Sequence, residues 1–162
     1  MIPHSTEASN RPPARGLTFQ WEPVRQVLTA PNFRKLNFEH WLEAGRLKGA
    51  IHFDPDFQRM IELSDLGIFR VWTARTPSGA LAGYAAFVVS PSLHHKSSLW
   101  AFEDSYVLHR RYRKGLNGYR MIATAVEALR AAGVKAIVMG GPEPIFRRLH
   151  FEVGGRLFYK AL

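Results

Sequence analysis

The sequence predicts an α+β fold with a mixed sheet. Residues 68–74 and 81–89 are rich in β-branched and aromatic residues and flank a turn at residues 76–79, which predicts an antiparallel hairpin. Residues 99–108 and 134–139 are two further predicted strands, and a helical pattern separates them. A helical crossover joins strands that run in parallel, so this second pair is expected to be parallel. One antiparallel pair and one parallel pair make a mixed sheet.

The N-terminal part of the chain adds one strand and helices. Residues 1–16 lack apolar periodicity and are expected to form a disordered tail. Residues 17–162 are expected to form a single domain, because no internal repeat or composition change marks a second boundary. Residues 17–21 have the pattern of a strand. Apolar residues then recur at helical spacing over residues 24–42, on either side of a break at Pro31.

Prolines and glycines mark the other helix boundaries. Asp54 and Pro55 predict the start of a helix with proline in its first turn, and this helix should end near Gly67. A longer helix should run from about Gly118 to a stop at Gly133. The remaining predicted elements are a short helix over residues 145–149 and a final strand over residues 154–159.

Composition narrows the classes of function. The chain has no cysteine, which excludes disulfides, thiolate metal sites and a cysteine nucleophile and suits a reducing compartment. No segment is apolar for long enough to span a bilayer, and the first residues are polar where a signal peptide needs an apolar core. We therefore expect a cytoplasmic protein without a membrane partner. The net charge of +9 favours an anionic ligand or partner, namely nucleic acid, an acidic protein or a phosphorylated cofactor.

A basic, glycine-containing turn follows the third predicted strand and precedes the long helix. The turn and the helix start comprise Arg113, Lys114, Gly115, Leu116, Asn117, Gly118, Tyr119 and Arg120. The N-terminus of a helix presents unpaired backbone N–H groups and a favourable dipole, so such a junction is suited to bind pyrophosphate. Because the basic residues lie beside glycines and not among stacking aromatics, the cluster favours a compact phosphate ligand. The alternative is a solvated basic loop that only caps the helix.

Two carboxylates, Glu103 and Asp104, lie on the strand before this turn. Side chains alternate along a strand, so the two are expected on opposite faces, and at most one can point into a given cleft. A carboxylate on a central strand is expensive to bury unless it is paired or takes part in chemistry. Each is therefore a candidate general base or substrate-orienting group, and a structural salt bridge to the neighbouring arginines is the alternative.

A loop through Pro91, His94 and His95 is expected before the third strand. The two histidines could bind a metal, but adjacent residues in an extended segment diverge and no third ligand lies at a recognisable spacing. No metal site is predicted.

The order of these elements and the basic turn resemble the GNAT superfamily of acyl-CoA-dependent N-acetyltransferases over residues 68–162. The family motif is Arg/Gln-x-x-Gly-x-Gly/Ala, and residues 113–118 keep the first Arg113 and the last Gly118, with Leu116 at the middle glycine. The Glu-Asp pair is similar in spacing to that of diamine acetyltransferases. Residues 146–151 resemble the family's Tyr-x-x-x-Gly-Phe, with Phe146 at the tyrosine and His150 at the glycine. The loop through Pro91 and the two histidines resembles GNAT-like proteins of bacteriophages.

The resemblance implies a mostly antiparallel GNAT sheet flanked by helices on both faces. It implies transfer of acetyl from acetyl-CoA to a primary amine of a small molecule or a protein, by direct attack after Glu103 or Asp104 removes a proton. The coenzyme would lie against Val107, Leu108 and the basic turn, with a backbone N–H near Val107 polarising the thioester carbonyl. No metal is implied. Many relatives pair through their last strands, so a homodimer is a further expectation.

The resemblance also leaves a competing interpretation. Leu116, Phe146 and the net charge of +9 are compatible with a GNAT-like module that has lost catalysis and binds nucleic acid or an acidic protein through its basic surface. Tyr112, Tyr119 and Tyr159 are the alternative acids if Phe146 replaces the usual tyrosine. Salt-dependent binding to nucleic acid without saturable binding of acetyl-CoA would distinguish the module from the enzyme.

Overall fold

A computed structural model describes residues 16–45, 49–155 and 160. Residues 1–15 of the predicted tail and residues 156–159 of the predicted last strand lie outside the described residues. The described elements are, in chain order, β1 (Thr18–Glu22), α1 (Val24–Leu28), α2 (Phe33–Ala44), α3 (Phe57–Asp65), β2 (Phe69–Arg75), β3 (Leu81–Ser92), β4 (His95–Leu108), a 3₁₀ turn (Arg110–Tyr112), α4 (Asn117–Ala131), β5 (Val134–Val138) and α5 (Glu143–Arg148).

The five strands form one sheet in the order β1-β2-β3-β4-β5. The first three pairs are antiparallel, and β4 pairs with β5 in parallel. Helix α4 provides the crossover between β4 and β5, as the helical pattern between the two strands predicts. The prediction of a mixed, mostly antiparallel sheet is therefore confirmed.

Both faces of the sheet are covered by helices. On one face Met121 and Leu129 of α4 pack with Phe87 and Ala101 in one buried cluster. On the other face α1, α2 and α3 pack over a second cluster that includes Tyr84. The inner strands β2, β3 and β4 therefore contribute apolar side chains to both cores, which explains why residues 81–87 are all buried. The predicted arrangement of helices on both faces is confirmed.

Two boundaries differ from the prediction. The loop expected through Pro91, His94 and His95 is wrong, because β3 continues to Ser92 and β4 already begins at His95. Pro91 is tolerated in this extension because β2 pairs with β3 only as far as Val88, so the outer edge of β3 needs no donor there.

Helix α3 also starts later than Asp54 and Pro55 predict. It begins at Phe57, because Asp56 caps it: its Oδ1 accepts a hydrogen bond of 2.8 Å from the backbone N–H of Arg59. Within the described part of the chain, no helix is long and apolar enough to cross a membrane.

A buried ion pair joins the edge strand β1 to its neighbour β2. The Glu22 side chain is only 2% exposed, and its carboxylate accepts hydrogen bonds from Arg75 Nε at 2.9 Å and from Thr73 Oγ1 at 2.6 Å. The Arg75 guanidinium is the largest cause that lowers the pKa of Glu22 to about 2. Glu22 is therefore charged and paired at neutral pH, far from the basic turn in sequence.

Candidate functional site

Strands β4 and β5 separate partway along their length. Their last paired residues are Phe102 and Val138, where β5 ends, whereas β4 continues to Leu108. Among the described elements, residues 103–108 of β4 pair only with β3. The opposite edge of this segment is open, and an extended ligand can pair with the backbone groups of such an edge.

The backbone groups at the open edge belong to alternate residues. The N–H of His109 donates to Ala82 in β3, and the carbonyl of Leu108 accepts from Arg113 Nε at 2.6 Å, away from β3. Because backbone groups alternate along a strand, those of Leu108 and Tyr106 point to the open edge and those of Val107 to β3. The backbone donors available at the edge are thus the neighbours of Val107.

A β-bulge lies where the two strands separate. Glu103 pairs with Phe87 and Ser105 with the preceding Ala86, so Asp104 has no partner residue in β3. Glu103 shares the α4 face with Phe87, whereas Asp104 and Ser105 both line a cavity on the face covered by α1 and α2. The two carboxylates lie on opposite faces, as expected. The extra residue turns Asp104 and Ser105 to the same side.

Glu103 connects the ends of the two separating strands. Its Oε2 accepts a hydrogen bond of 2.7 Å from the backbone N–H of Gly140, just beyond β5. Burial raises the pKa of the Glu103 carboxyl, and the bond from Gly140 partly opposes this rise. The carboxylate is thus held at the point where the gap opens.

Asp104 lies at the mouth of the cavity. Partial burial raises the pKa of its carboxyl, while a hydrogen bond from Ser105 and the nearby His40 lower it. Among the described residues, no ion pair links either carboxylate to lysine or arginine. The salt bridge considered as the alternative for Glu103 and Asp104 is therefore absent from the described part of the chain.

The basic turn leads directly into α4. Gly115 has φ +69°, a left-handed conformation that favours glycine, and Leu116 at the helix start is 57% exposed. No side chain caps the first turn of α4, so its backbone N–H groups have no partner within the helix or from a capping side chain. Lys114 makes no ion pair or hydrogen bond with the described residues. With respect to the described residues, the turn thus presents unpartnered backbone donors and the unpaired ammonium of Lys114.

Gly118 is required by packing inside the protein. A Cβ at this position would lie 3.0 Å from Tyr106 Oη and 3.3 Å from Ile145 Cδ1. Tyr106 Oη also makes a long hydrogen bond of 3.4 Å to the Gly118 carbonyl, and burial raises the pKa of Tyr106 to about 12. Tyr106 therefore remains protonated beside the start of α4.

The two predicted phosphate-binding arginines, Arg113 and Arg120, have partners within the protein, and Arg110 shares the partner of Arg113. Arg113 Nη2 and Arg110 Nε each lie 2.6 Å from one carboxylate oxygen of Glu43, which belongs to α2. The hydrogen bond from Arg113 is the largest cause that lowers the pKa of Glu43. The guanidinium of Arg120 lies over the Phe19 ring at 5.7 Å. The clasp between Glu43 and the two arginines ties the basic turn to α2.

Sequence reasoning missed several residues of this site. Tyr106 and Gly140 border the gap, and Asn37, Tyr84 and Ser105 line the cavity. Ser105 and Tyr106 directly follow the predicted carboxylates on the same strand, so this position could have indicated that they belong to the site. Asn37 and Gly140 are distant from the carboxylates in sequence, and no sequence pattern indicated them.

Other predicted features lie elsewhere. His94 is at the tip of the β3–β4 hairpin, and His95 stacks on Trp100 with ring centroids 6.1 Å apart. Within the described residues, no group of three or more histidine, aspartate or glutamate side chains could hold a metal ion. Phe146, at the position of the family tyrosine, packs against Phe151 with ring centroids 5.1 Å apart.

Comparison with solved structures identifies the fold. Glucosamine-6-phosphate N-acetyltransferase from Arabidopsis thaliana matches 90% of this chain over 98% of its own length, with a TM-score of 0.67 and 8% identity. A predicted acetyltransferase from Clostridium acetobutylicum, in a crystal structure with acetyl-CoA, matches 90% of this chain and 96% of its own with a TM-score of 0.66 and 10% identity. A GNAT family acetyltransferase from Staphylococcus aureus matches 90% of this chain and 98% of its own, with a TM-score of 0.61 and 15% identity.

The chain therefore has the GNAT fold, as the sequence resemblance implies. No protein-family model matches the sequence, and the sequence has no significant similarity to a curated protein.

Proposed function

We propose that this protein is an N-acetyltransferase of the GNAT superfamily that transfers acetyl from acetyl-CoA to a primary amine. The observation that carries the proposal is the open edge of β4 beside the uncapped N-terminus of α4, with Glu103 and Asp104 at the point of separation. In a chain with the GNAT fold, this arrangement supports binding of an extended phosphorylated thioester next to a base. The cysteine-free composition suits the cytoplasm as its location.

The donor groups around the gap fit acetyl-CoA. Lys114 and the backbone N–H groups at the start of α4 would hold the pyrophosphate. The backbone groups of Tyr106 and Leu108 would pair with the amides of the pantetheine arm. Acetyl-CoA supplies a thioester whose carbonyl carbon is open to attack by an amine.

The residues at the bulge would then take part in proton transfer. An alkylammonium ion, with a pKa near the lysine reference of about 10.4, must lose a proton before it can attack. Asp104 is exposed, has no lysine or arginine partner among the described residues, and has a raised pKa, so we assign it the role of orienting the ammonium and accepting its proton. Glu103 positions the strand ends through Gly140, and the Tyr106 hydroxyl, which keeps its proton, would donate a hydrogen bond to a departing thiolate.

The experiment that tests the proposal has two readouts. Isothermal titration with acetyl-CoA measures binding, and release of free thiol in the presence of primary amines measures turnover. Micromolar binding together with amine-dependent thiol release would support the proposal. Absence of heat and of thermal stabilisation at millimolar acetyl-CoA would refute it.

Reversing the charge of the free lysine should weaken binding of acetyl-CoA selectively. We expect Lys114→Glu to raise the Kd for acetyl-CoA by about 30-fold, because a carboxylate would then face the pyrophosphate. The Kd for S-acetylpantetheine, which lacks the pyrophosphate, should change by less than about twofold. Lys96→Glu, on the β3–β4 hairpin, is the matched control. Equal loss of affinity for both thioesters would mean that the turn does not bind the pyrophosphate.

Neutralising Glu43 should have the opposite effect. This carboxylate occupies Arg110 and Arg113 beside the basic turn, so Glu43→Gln should lower the Kd for acetyl-CoA by about threefold at low salt. The pairs are exposed, so the free energy of unfolding should change by less than about 1 kcal/mol. Titration at low and high salt measures the first effect and urea unfolding the second. Weaker binding would show that Glu43 instead positions Arg113 for the ligand.

The competing module would bind a polyanion through the same basic surface. The Glu43 clasp neutralises part of the charge on that surface, which disfavours this function. Titration with short duplex DNA and with single-stranded RNA at several salt concentrations would identify the module if binding is steeply salt-dependent and acetyl-CoA does not bind.

A further inference from the structure

A cavity of about 70 Å³ lies between the sheet and helices α1, α2 and α3. Its walls are mostly apolar and include Val27, Phe33 and Met60 from the helices and Ala86 from β3. The polar groups of its lining are Asn37, Tyr84, Asp104 and Ser105. The cavity is therefore an apolar space with polar groups on one part of its wall.

These polar groups differ in how far they are already satisfied. The Tyr84 hydroxyl donates a hydrogen bond of 2.8 Å to Asn37 Oδ1, so its proton is in use. The Asp104 carboxylate is accessible at the mouth and has no lysine or arginine partner among the described residues, in a chain of net charge +9. Asp104 accepts a hydrogen bond from Ser105 and lies near His40. A carboxylate without a lysine or arginine partner beside an apolar space is complementary to a cation that carries an apolar group.

The volume limits the size of that apolar group. An apolar cavity of about 150 Å³ is known to hold one benzene molecule. A space of about 70 Å³ is roughly half as large and accommodates an aliphatic chain of about four carbon atoms or fewer. The walls offer too few polar partners for the hydroxyl groups of an amino sugar, whose burial without hydrogen bonds is unfavourable.

We propose that this cavity is the acceptor site and that the acceptor is a short-chain primary alkylamine, with its alkyl group in the cavity and its ammonium against Asp104. This inference rests on the proposed function, because it names the acceptor of the same reaction. The alkylammonium ion gives up one proton to Asp104, its nitrogen forms a bond to the acetyl carbon, the carbon–sulfur bond breaks, and the second nitrogen proton passes to the departing thiolate. The products are an N-alkylacetamide and CoA thiol, with one proton released overall.

The test compares amines of different length and polarity. With wild type and saturating acetyl-CoA, kcat/KM for n-butylamine should exceed that for octylamine, spermidine and glucosamine by about tenfold or more. Binding of n-butylamine is also measured by isothermal titration without acetyl-CoA, and Asp104→Asn should weaken it by about tenfold. Asp54→Asn, an accessible carboxylate outside the cavity, is the matched control.

Two variants of the wall change the size of the cavity in opposite directions. Ala86→Leu fills it and should raise KM for n-butylamine by about tenfold while the Kd for acetyl-CoA stays within about twofold. Val27→Ala enlarges it and should shift the preference toward hexylamine, which keeps the proposal testable if the first variant does not fold.

The outcomes separate the two proposals. If acetyl-CoA binds but polar or long amines are preferred, or if neither wall variant alters amine selectivity, the cavity is only a packing void and the acceptor inference is overturned. If acetyl-CoA does not bind, the proposed function fails, and the direct titration with n-butylamine still decides whether the cavity binds alkylammonium ions.

Discussion

Asp104→Asn is expected to lower kcat/KM for a primary amine by about 10³-fold, because the variant loses both the proton acceptor and the charge that orients the ammonium. The β-bulge turns this carboxylate toward the cavity, and no lysine or arginine of the described part of the chain pairs with it. An amide of the same shape can neither accept the proton nor pair with the cation. Steady-state thiol release measures the effect.

Comparison with Glu103→Gln assigns the roles of the two carboxylates. Glu103 accepts a hydrogen bond from Gly140 on the α4 face. Replacing this carboxylate should reduce kcat by only about tenfold, because the ends of β4 and β5 would be held less accurately. Glu127→Gln, on the exposed surface of α4, is the matched control and should leave kcat unchanged. A larger loss in Glu103→Gln than in Asp104→Asn would reverse the assignment.

The pH profile provides an independent check on Asp104. Its carboxyl must be ionised to accept a proton, and its pKa is raised by partial burial. Activity should therefore fall on the acidic side as the pH drops through this raised pKa, above the ordinary value for aspartate of about 3.9. The same acidic limb should be missing from the residual activity of Asp104→Asn. An unchanged limb in the variant would mean that another group titrates.

The second large effect concerns the free energy of unfolding and its decrease at acidic pH. Glu22→Gln is expected to lower the free energy of unfolding at pH 7 by about 3 kcal/mol, because the pKa of Glu22 falls from an ordinary value near 4.5 to about 2 in the folded protein. A carboxyl with a depressed folded pKa stabilises the protein above its unfolded pKa. That stabilisation is lost as the pH falls toward the folded value. Wild type should therefore lose stability between about pH 5 and pH 2 at this site.

Urea unfolding at several pH values measures this loss. The free energy of unfolding of Glu22→Gln should lack the part of its pH dependence that Glu22 causes. Glu62 is a surface residue paired with Arg59, and Glu62→Gln should keep that part. Equal pH dependence in wild type and Glu22→Gln would contradict the depressed pKa. The test does not depend on any activity of the protein.

Local sequence patterns predicted most of the elements. The β-branched segments on both sides of residues 76–79 form the expected hairpin, and the apolar spacing after Gly118 forms α4, which ends before Gly133 with φ +85°. Periodicity and glycine conformation are properties of neighbouring residues, so they can be read without knowledge of the fold. The helix cap at Asp56 was missed because Asp54 and Pro55 offer a competing start signal two residues earlier.

The candidate site was predicted in part. Glu103, Asp104 and the basic turn border the gap, since their order along the chain brings them to the end of one strand and the start of one helix. Among the described residues Lys114 has no partner, whereas Arg113 pairs with Glu43, and the sequence could not predict this difference. Glu43 lies 70 positions from Arg113 in sequence, and no local pattern links the two.

The sequence by itself determined the mixed α+β architecture, the basic turn before a long helix and the pair of carboxylates on the preceding strand, because these follow from local periodicity and residue type. Only the tertiary structure decided which carboxylate faces the cavity under α1, α2 and α3, which arginines are neutralised and how large the cavity is. The bulge at Asp104 depends on the register between β3 and β4, and the cavity depends on how α1 and α2 pack over the sheet. Register and packing are set by contacts between residues that are distant in sequence.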